Sequence, residues 1–139
     1  QESLESMQRS IAQITESVAI VVAAYEKAQT KYAAKLQELK QAENQASLAY
    51  QQGNEEAARL AISRAIAIER LLPKIAEQVA SAEKVVIAAK EKLYREREKV
   101  EAYKTEMQNL KALSEINEAL ATIAKVDSSL NLSAEARSI

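Results

Sequence analysis

The chain has 139 residues, 47% hydrophobic and 28% charged, and its nineteen Lys and Arg against twenty Asp and Glu give a net charge of −1. One Gly, one Pro, no Phe and no Trp supply too few turn residues and too little aromatic mass for a compact globular domain. With no His and no Cys the usual metal ligands, general bases and thiol nucleophiles are missing, and no basic tract can follow a phosphate backbone. Catalysis, a metal centre, a cofactor and nucleic-acid binding are therefore not expected.

Strong helix formers (Ala, Glu, Lys, Gln, Leu) dominate and no stretch alternates with period two, so the fold class is all-α. The first predicted element is a helix over about residues 4–52. Its apolar stripe runs Leu4, Met7, Ile11, Ile14, Val18, Val21, Tyr25, Ala28, Tyr32, Leu39, Ala42 and Ala46, in steps of three and four with one slip at Lys35 and Leu36. The longest apolar run, Val18 to Tyr25, is far shorter than the ~20 residues that span a bilayer. Together with Val85 to Ala89 it reads as the thickest part of a coiled-coil core.

The next element is a tight turn at residues 53–54. Gly53 suits the left-handed position that ends a helix, Asn54 can cap the next one, and Glu55 and Glu56 complement its positive N-terminal dipole. A second helix is predicted over about residues 55–125, with a stripe at Ala61, Ala65, Ile68, Leu72, Ile75, Val79, Ala82, Val86, Ala89 and Leu93, then Glu96, Val100 and Tyr103. When the chain folds back at the turn, facing residues have numbers that add to 107: Leu4 with Tyr103, Ile14 with Leu93, Val21 with Val86, Ala28 with Val79, Leu39 with Ile68, Ala46 with Ala61. Unrelated amphipathic helices would not keep one sum through so many layers. The prediction is a long antiparallel two-helix coiled-coil hairpin.

Within helix two, Pro73 removes an amide donor and crowds the carbonyl of Glu69, which costs ~3 kcal/mol unless the helix bends. A kink near Glu69 to Pro73 is expected, read first as a mere local bend in a rod stable enough to tolerate it, with a joint that sets curvature on assembly as the alternative. Lys35 and Glu96 fall at seam positions, where a polar residue fixes register at some loss of stability; Arg9 or another neighbour would satisfy Glu96. Tyr25, Tyr32 and Tyr103 belong to the seam, Tyr50 to the tip, and Tyr94 lies off the seam. The run Arg95-Glu96-Arg97-Glu98-Lys99 reads as a solvated face, with Glu91 and Arg95 spaced as an i,i+4 pair.

Helix two overhangs helix one. Beyond Glu106, Met107, Leu110, Leu113, Ile116, Leu120 and Ile123 continue an apolar stripe with nothing in the chain to face it, which marks a partner surface at Leu110, Leu113, Ile116, Leu120 and Ile123. Asp127-Ser128-Ser129 is expected to break the helix. This gives a hairpin over residues 1–126, then a linker over 127–139 with a further helix starting at Ser133. The sequence begins and ends in mid-pattern and reads as a stable core of a longer protein. The lack of cysteine fits a reducing, cytoplasmic compartment.

At the tip, the segment from Leu48 through Gly53-Asn54-Glu55-Glu56-Ala57-Ala58-Arg59-Leu60-Ala61 to Arg64 resembles a signature of the phage shock protein A family, which includes the vesicle-inducing protein in plastids. Met7-Gln8-Arg9-Ser10-Ile11 is similar to that family's first-helix opening. The tryptophan often found before the family's tip is replaced here by Glu43-Asn44-Gln45-Ala46, and Pro73 and Ile20-Val21-Val22 are also unusual for it. The resemblance implies an ESCRT-like, homo-oligomeric stress-response protein, peripheral on the inner or thylakoid membrane face, that polymerises into rings or rods and remodels or protects membranes. It further implies self-association through the ends and the overhang, lipid contact through an N-terminal helix absent from this chain, and in some bacterial members inhibition of an AAA-type transcription activator by the hairpin. A plain spacer between two domains is the alternative that owes nothing to the resemblance.

Overall fold

The structure is a computed structural model and describes residues 3–132. It holds two helices, α1 (Leu4–Gln51) and α2 (Glu55–Leu130), and no strand among the described residues, so the chain is an all-α helical hairpin. Two compact units divide it, Arg9–Arg95 and a second made of the residues before Arg9 and after Arg95.

In the Arg9–Arg95 unit, the stripe positions that the sum of 107 pairs are withdrawn from solvent. Ile14 and Leu93, Val18 and Ala89, Val21 and Val86, Tyr25 and Ala82, Ala28 and Val79, and Leu39 and Ile68 are all buried or half-buried. Ile14, Val18 and Ala89 line one shared groove, and Arg64 Nη1 donates across the hairpin to Gln45 Oε1 at 2.9 Å. A continuous heptad pattern thus produces the continuous seam expected of it.

Toward the turn the seam narrows in composition. In the register of 107, Ala42 pairs with Ala65, Ala46 with Ala61 and Ala49 with Ala58, and of these six five are buried and Ala46 is half-buried. Packed helices lie ~8–10 Å apart according to the side chains between them, so consecutive alanine layers draw the axes to the near end of that range. Close axes are what the three-residue connection, Gln52 to Asn54, needs.

The apolar run Val18 to Tyr25 is not uniformly core. Val18, Val21, Val22 and Tyr25 turn inward, but Ile20 is 62% exposed, and Val85 and Ile87 in the other helix are about half exposed. A two-helix seam accepts roughly two positions in seven, so neighbours of seam residues face water however apolar they are.

Pro73 lies inside α2, which continues through it as one helix. Pro73 and Glu69 are both exposed, so water can reach the carbonyl that loses its amide partner. Lys35, at its seam position, ion-pairs with Glu38 at 2.8 Å. Tyr25 and Tyr32 sit in the seam, whereas Tyr50 and Tyr94 are exposed, as their spacing predicts.

In the second unit, Leu4 and Met7 with Val100 and Tyr103 keep the same sum and are buried or half-buried. Ser3 caps α1: its Oγ accepts from Ser6 N at 3.1 Å and its carbonyl from Met7 N at 3.0 Å. Glu96, the polar seam residue, is met by Lys99 of its own helix at 3.3 Å, the neighbour that the sequence left unspecified beside Arg9.

The break expected at Asp127-Ser128-Ser129 does not occur, and α2 ends at Leu130 rather than near Lys125. Asp and Ser are only weakly unfavourable in a helix interior, a few tenths of a kcal/mol each, and a long helix carries them. The stop comes at Asn131, which takes the left-handed conformation (φ +58°) that Asn tolerates at a helix end. The further helix expected from Ser133 lies outside the described residues.

Candidate functional site: the hairpin tip and the exposed stripe

The tip is closed by backbone geometry. Gly53 takes φ +76°, Asn54 N bonds to Ala49 O at 2.9 Å, and Gly53 N to Tyr50 O at 3.0 Å. This paired 6→1 and 5→2 pattern is the Schellman ending, and it leaves the chain pointing back along α1. Asn54 then opens α2 with no intervening residue: its Oδ1 accepts from Ala57 N at 3.1 Å and its carbonyl from Ala58 N at 3.1 Å. Glu55 follows in the first turn, with its carboxylate 3.9 Å from Arg59. The turn residues Gly53, Asn54 and Glu55 therefore stand where their chemistry places them.

Beside the turn a shallow groove of about 710 Å³ is lined by Ala49, Ala57, Ala61 and Ala67, with Leu60 at its wall and the Arg64–Gln45 hydrogen bond near its edge. Leu48 (56% exposed), Leu60 (63%) and Tyr50 (79%) stand out from the tip. The alanines that let the helices approach also leave the groove unfilled.

In the second unit, α2 carries an uncovered stripe. Met107, Leu110, Leu113, Ile116, Leu120 and Ile123 are each about half or more exposed, and Val126 and Leu130 extend the stripe beyond the residues that the sequence singled out. Sequence reasoning stopped at Ile123 because it ended the helix early; the apolar spacing at Val126 and Leu130 was the signal for the rest. These side chains face water at a combined cost that a soluble surface rarely bears without a partner.

Charges around both features are ordinary. Glu91 and Arg95 sit 3.9 Å apart and Lys104 and Glu101 3.6 Å apart, exposed pairs worth well under ~1 kcal/mol each. Among the described residues Tyr25 is perturbed: its hydroxyl is held above its usual range first by desolvation in the seam, then by the Glu83 carboxylate, while a hydrogen bond from Gln29 at 2.9 Å acts the other way. Among the described residues no cluster of acidic side chains could hold a metal ion, and no helix is long and apolar enough to cross a membrane.

The fold defines a helical hairpin with one uncovered face. No family model and no curated protein matches this chain.

Proposed function

We propose that the chain is a structural subunit of a membrane-associated stress-response polymer, a hairpin whose uncovered stripe mediates assembly and whose assembled form protects or remodels a membrane surface. The observation that carries the assembly half of this reading is the stripe from Met107 to Leu130, a run of large apolar side chains on an otherwise charged helix. The membrane half is supported by the resemblance of the tip to the phage shock protein A family, with its Gly53-Asn54-Glu55-Glu56 turn followed by Ala-Arg spacing. Peripheral attachment is compatible with the lack of a spanning helix among the described residues.

Electron microscopy of the protein with and without anionic vesicles tests the reading. Rings, rods or coated vesicles are the expected result. Uniform small particles in every condition would refute it.

A second reading draws on the tip groove and the exposed Leu48, Tyr50 and Leu60. In it the hairpin is a regulatory module that binds and inhibits an AAA-type transcription activator. Inhibition of such an ATPase by the chain, lost on Leu60→Asp, is its expected signature; an ATPase rate unmoved by excess chain would exclude it.

A further inference from the structure

We infer that the uncovered stripe of α2 pairs antiparallel with the same stripe of a second copy, about a twofold axis that brings together residues whose numbers add to 236. The inference deepens the assembly reading above and rests on it.

Its first ground is a change of phase. Continued past Val100, Tyr103, Met107 and Leu110, the seam that packs on α1 would reach Ser114, Asn117, Ala121, Ala124 and Ser128, all small or polar. The large side chains sit one residue earlier, at Leu113, Ile116, Leu120 and Ile123, each 54–63% exposed. One residue is ~100° of rotation about a helix with 3.6 residues per turn. A helix prolonging the line of α1 would therefore meet the small, polar face. The occupant of the apolar stripe approaches from a different side.

The second ground is self-complementarity. With numbers adding to 236, Leu113 faces Ile123, Ile116 faces Leu120 and Leu110 flanks Val126, so apolar meets apolar through the centre. Two polar members of the stripe, Asn109 and Asp127, then face each other, the kind of layer that fixes register, and at the edge Glu106 meets Leu130. Sliding by one heptad to a sum of 243 sets Ile116 against Asp127. A parallel, in-register pair sets Asp127 against Asp127. Sliding the other way, to 229, sets Leu120 against Asn109 and Ile123 against Glu106, so of these arrangements 236 alone keeps Leu113, Ile116, Leu120 and Ile123 on apolar partners without setting Asp127 against itself.

Area is the third ground. The six large side chains from Leu113 to Leu130 that share this side are each 45–63% exposed, and at roughly 100 Å² of apolar surface apiece they offer about 600 Å² per chain, ~1,200 Å² for the pair, the lower bound of a stable specific interface.

The test uses the 139-residue chain in sedimentation equilibrium without lipid, beside the variant Ile116→Asp/Leu120→Asp. Both positions are exposed in the single chain, so the variant keeps its helix, which far-UV circular dichroism checks. A dimer for the parent and a twofold lower mass for the variant are expected. Register is read by mild oxidation, which is clean because the chain has no cysteine. A mixture of Leu113→Cys and Ile123→Cys proteins should give the mixed disulfide in several-fold excess over either homodimer.

A predominant 113–113 disulfide would mean a parallel pair and overturn the inference. A monomer at all concentrations that binds anionic vesicles through the intact stripe would also overturn it, with a lipid surface as the true occupant and the membrane reading left standing. Polymers that persist in the aspartate variant would move the assembly contact elsewhere and overturn it likewise.

Discussion

Val86→Asp is the sharpest probe of the seam because Val86 is only 6% exposed and faces Val21 from α1. Losing a nearly fully buried valine forfeits about 2 kcal/mol of transfer free energy. The new carboxylate then either stays charged in a dry layer or takes up a proton. Keeping it protonated at pH 7, with an ordinary pKa near 3.9, costs about 1.36 kcal/mol for each of ~3 pH units, so the charge penalty cannot exceed about 4 kcal/mol. The total loss is therefore about 2–6 kcal/mol, comparable to the whole stability of a marginal fold. The sign of its pH dependence follows: burial raises the folded-state pKa of the new Asp, so the charge penalty is full above that raised value. It fades as pH falls toward ~3.9, where the unfolded chain also protonates, leaving only the ~2 kcal/mol transfer loss. Urea melts followed by far-UV circular dichroism at pH 7 and pH 4 measure both parts. Ile87→Asp, at a 49% exposed position one residue away, should cost less than ~1 kcal/mol and serves as the control. Equal losses for Val86→Asp and Ile87→Asp, or a Val86→Asp deficit that does not shrink at pH 4, would refute the placement of Val86 in a dry seam.

Other perturbations carry their own expectations. Gly53→Val meets no atom within 4 Å of the new Cβ, so its cost is only that of forcing a β-branched residue to φ +76°, about 1–3 kcal/mol, and its melting temperature should fall less than that of Val86→Asp. Ala42→Leu enlarges a fully buried alanine that faces Ala65 and should lose about 1–3 kcal/mol by overpacking, where a loosely spaced pair of helices would show a gain in the same urea melt. Tyr25, with its folded-state pKa raised, contributes stability that is fully present below pH ~10 and lost as pH rises through the raised value. Tyr25→Phe should accordingly flatten the fall in melting temperature between pH 9 and pH 11.

The hairpin was legible because its determinants are local and periodic. The sum of 107 needs only the spacing of side chains along two helices, and Gly53 and Asn54 each have one conformational role that few other residues fill. The end of α2 was misread because Asp127, Ser128 and Ser129 are disfavoured only slightly, and helix length and the apolar spacing at Val126 and Leu130 outweigh them. Ser3 as the cap of α1 was missed although a serine directly before the first stripe residue was its signal. The stripe on the overhang was visible as a pattern, but its turn away from the seam emerges only once α2 is known to run unbroken to Leu130. Function was the least legible part, since a seam of Leu, Ile, Val and Ala serves any coiled coil and only the tip carries distinctive residues.

Among the described residues no large side chain is fully hidden; even the best-covered of these, Val86, Leu93 and Val100, keep 5–8% of their surface in water. Two helices make a layer without an interior, so the hairpin begins with little free energy to spare. Any partner that covers it acts by mass action on folding itself: at a hundred times its dissociation constant, a ligand of the folded state adds ~2.7 kcal/mol. If the chain pairs as inferred above, its folding and association are one linked equilibrium. Its melting temperature should climb with protein concentration, and conditions that loosen the complex soften the helices in the same step.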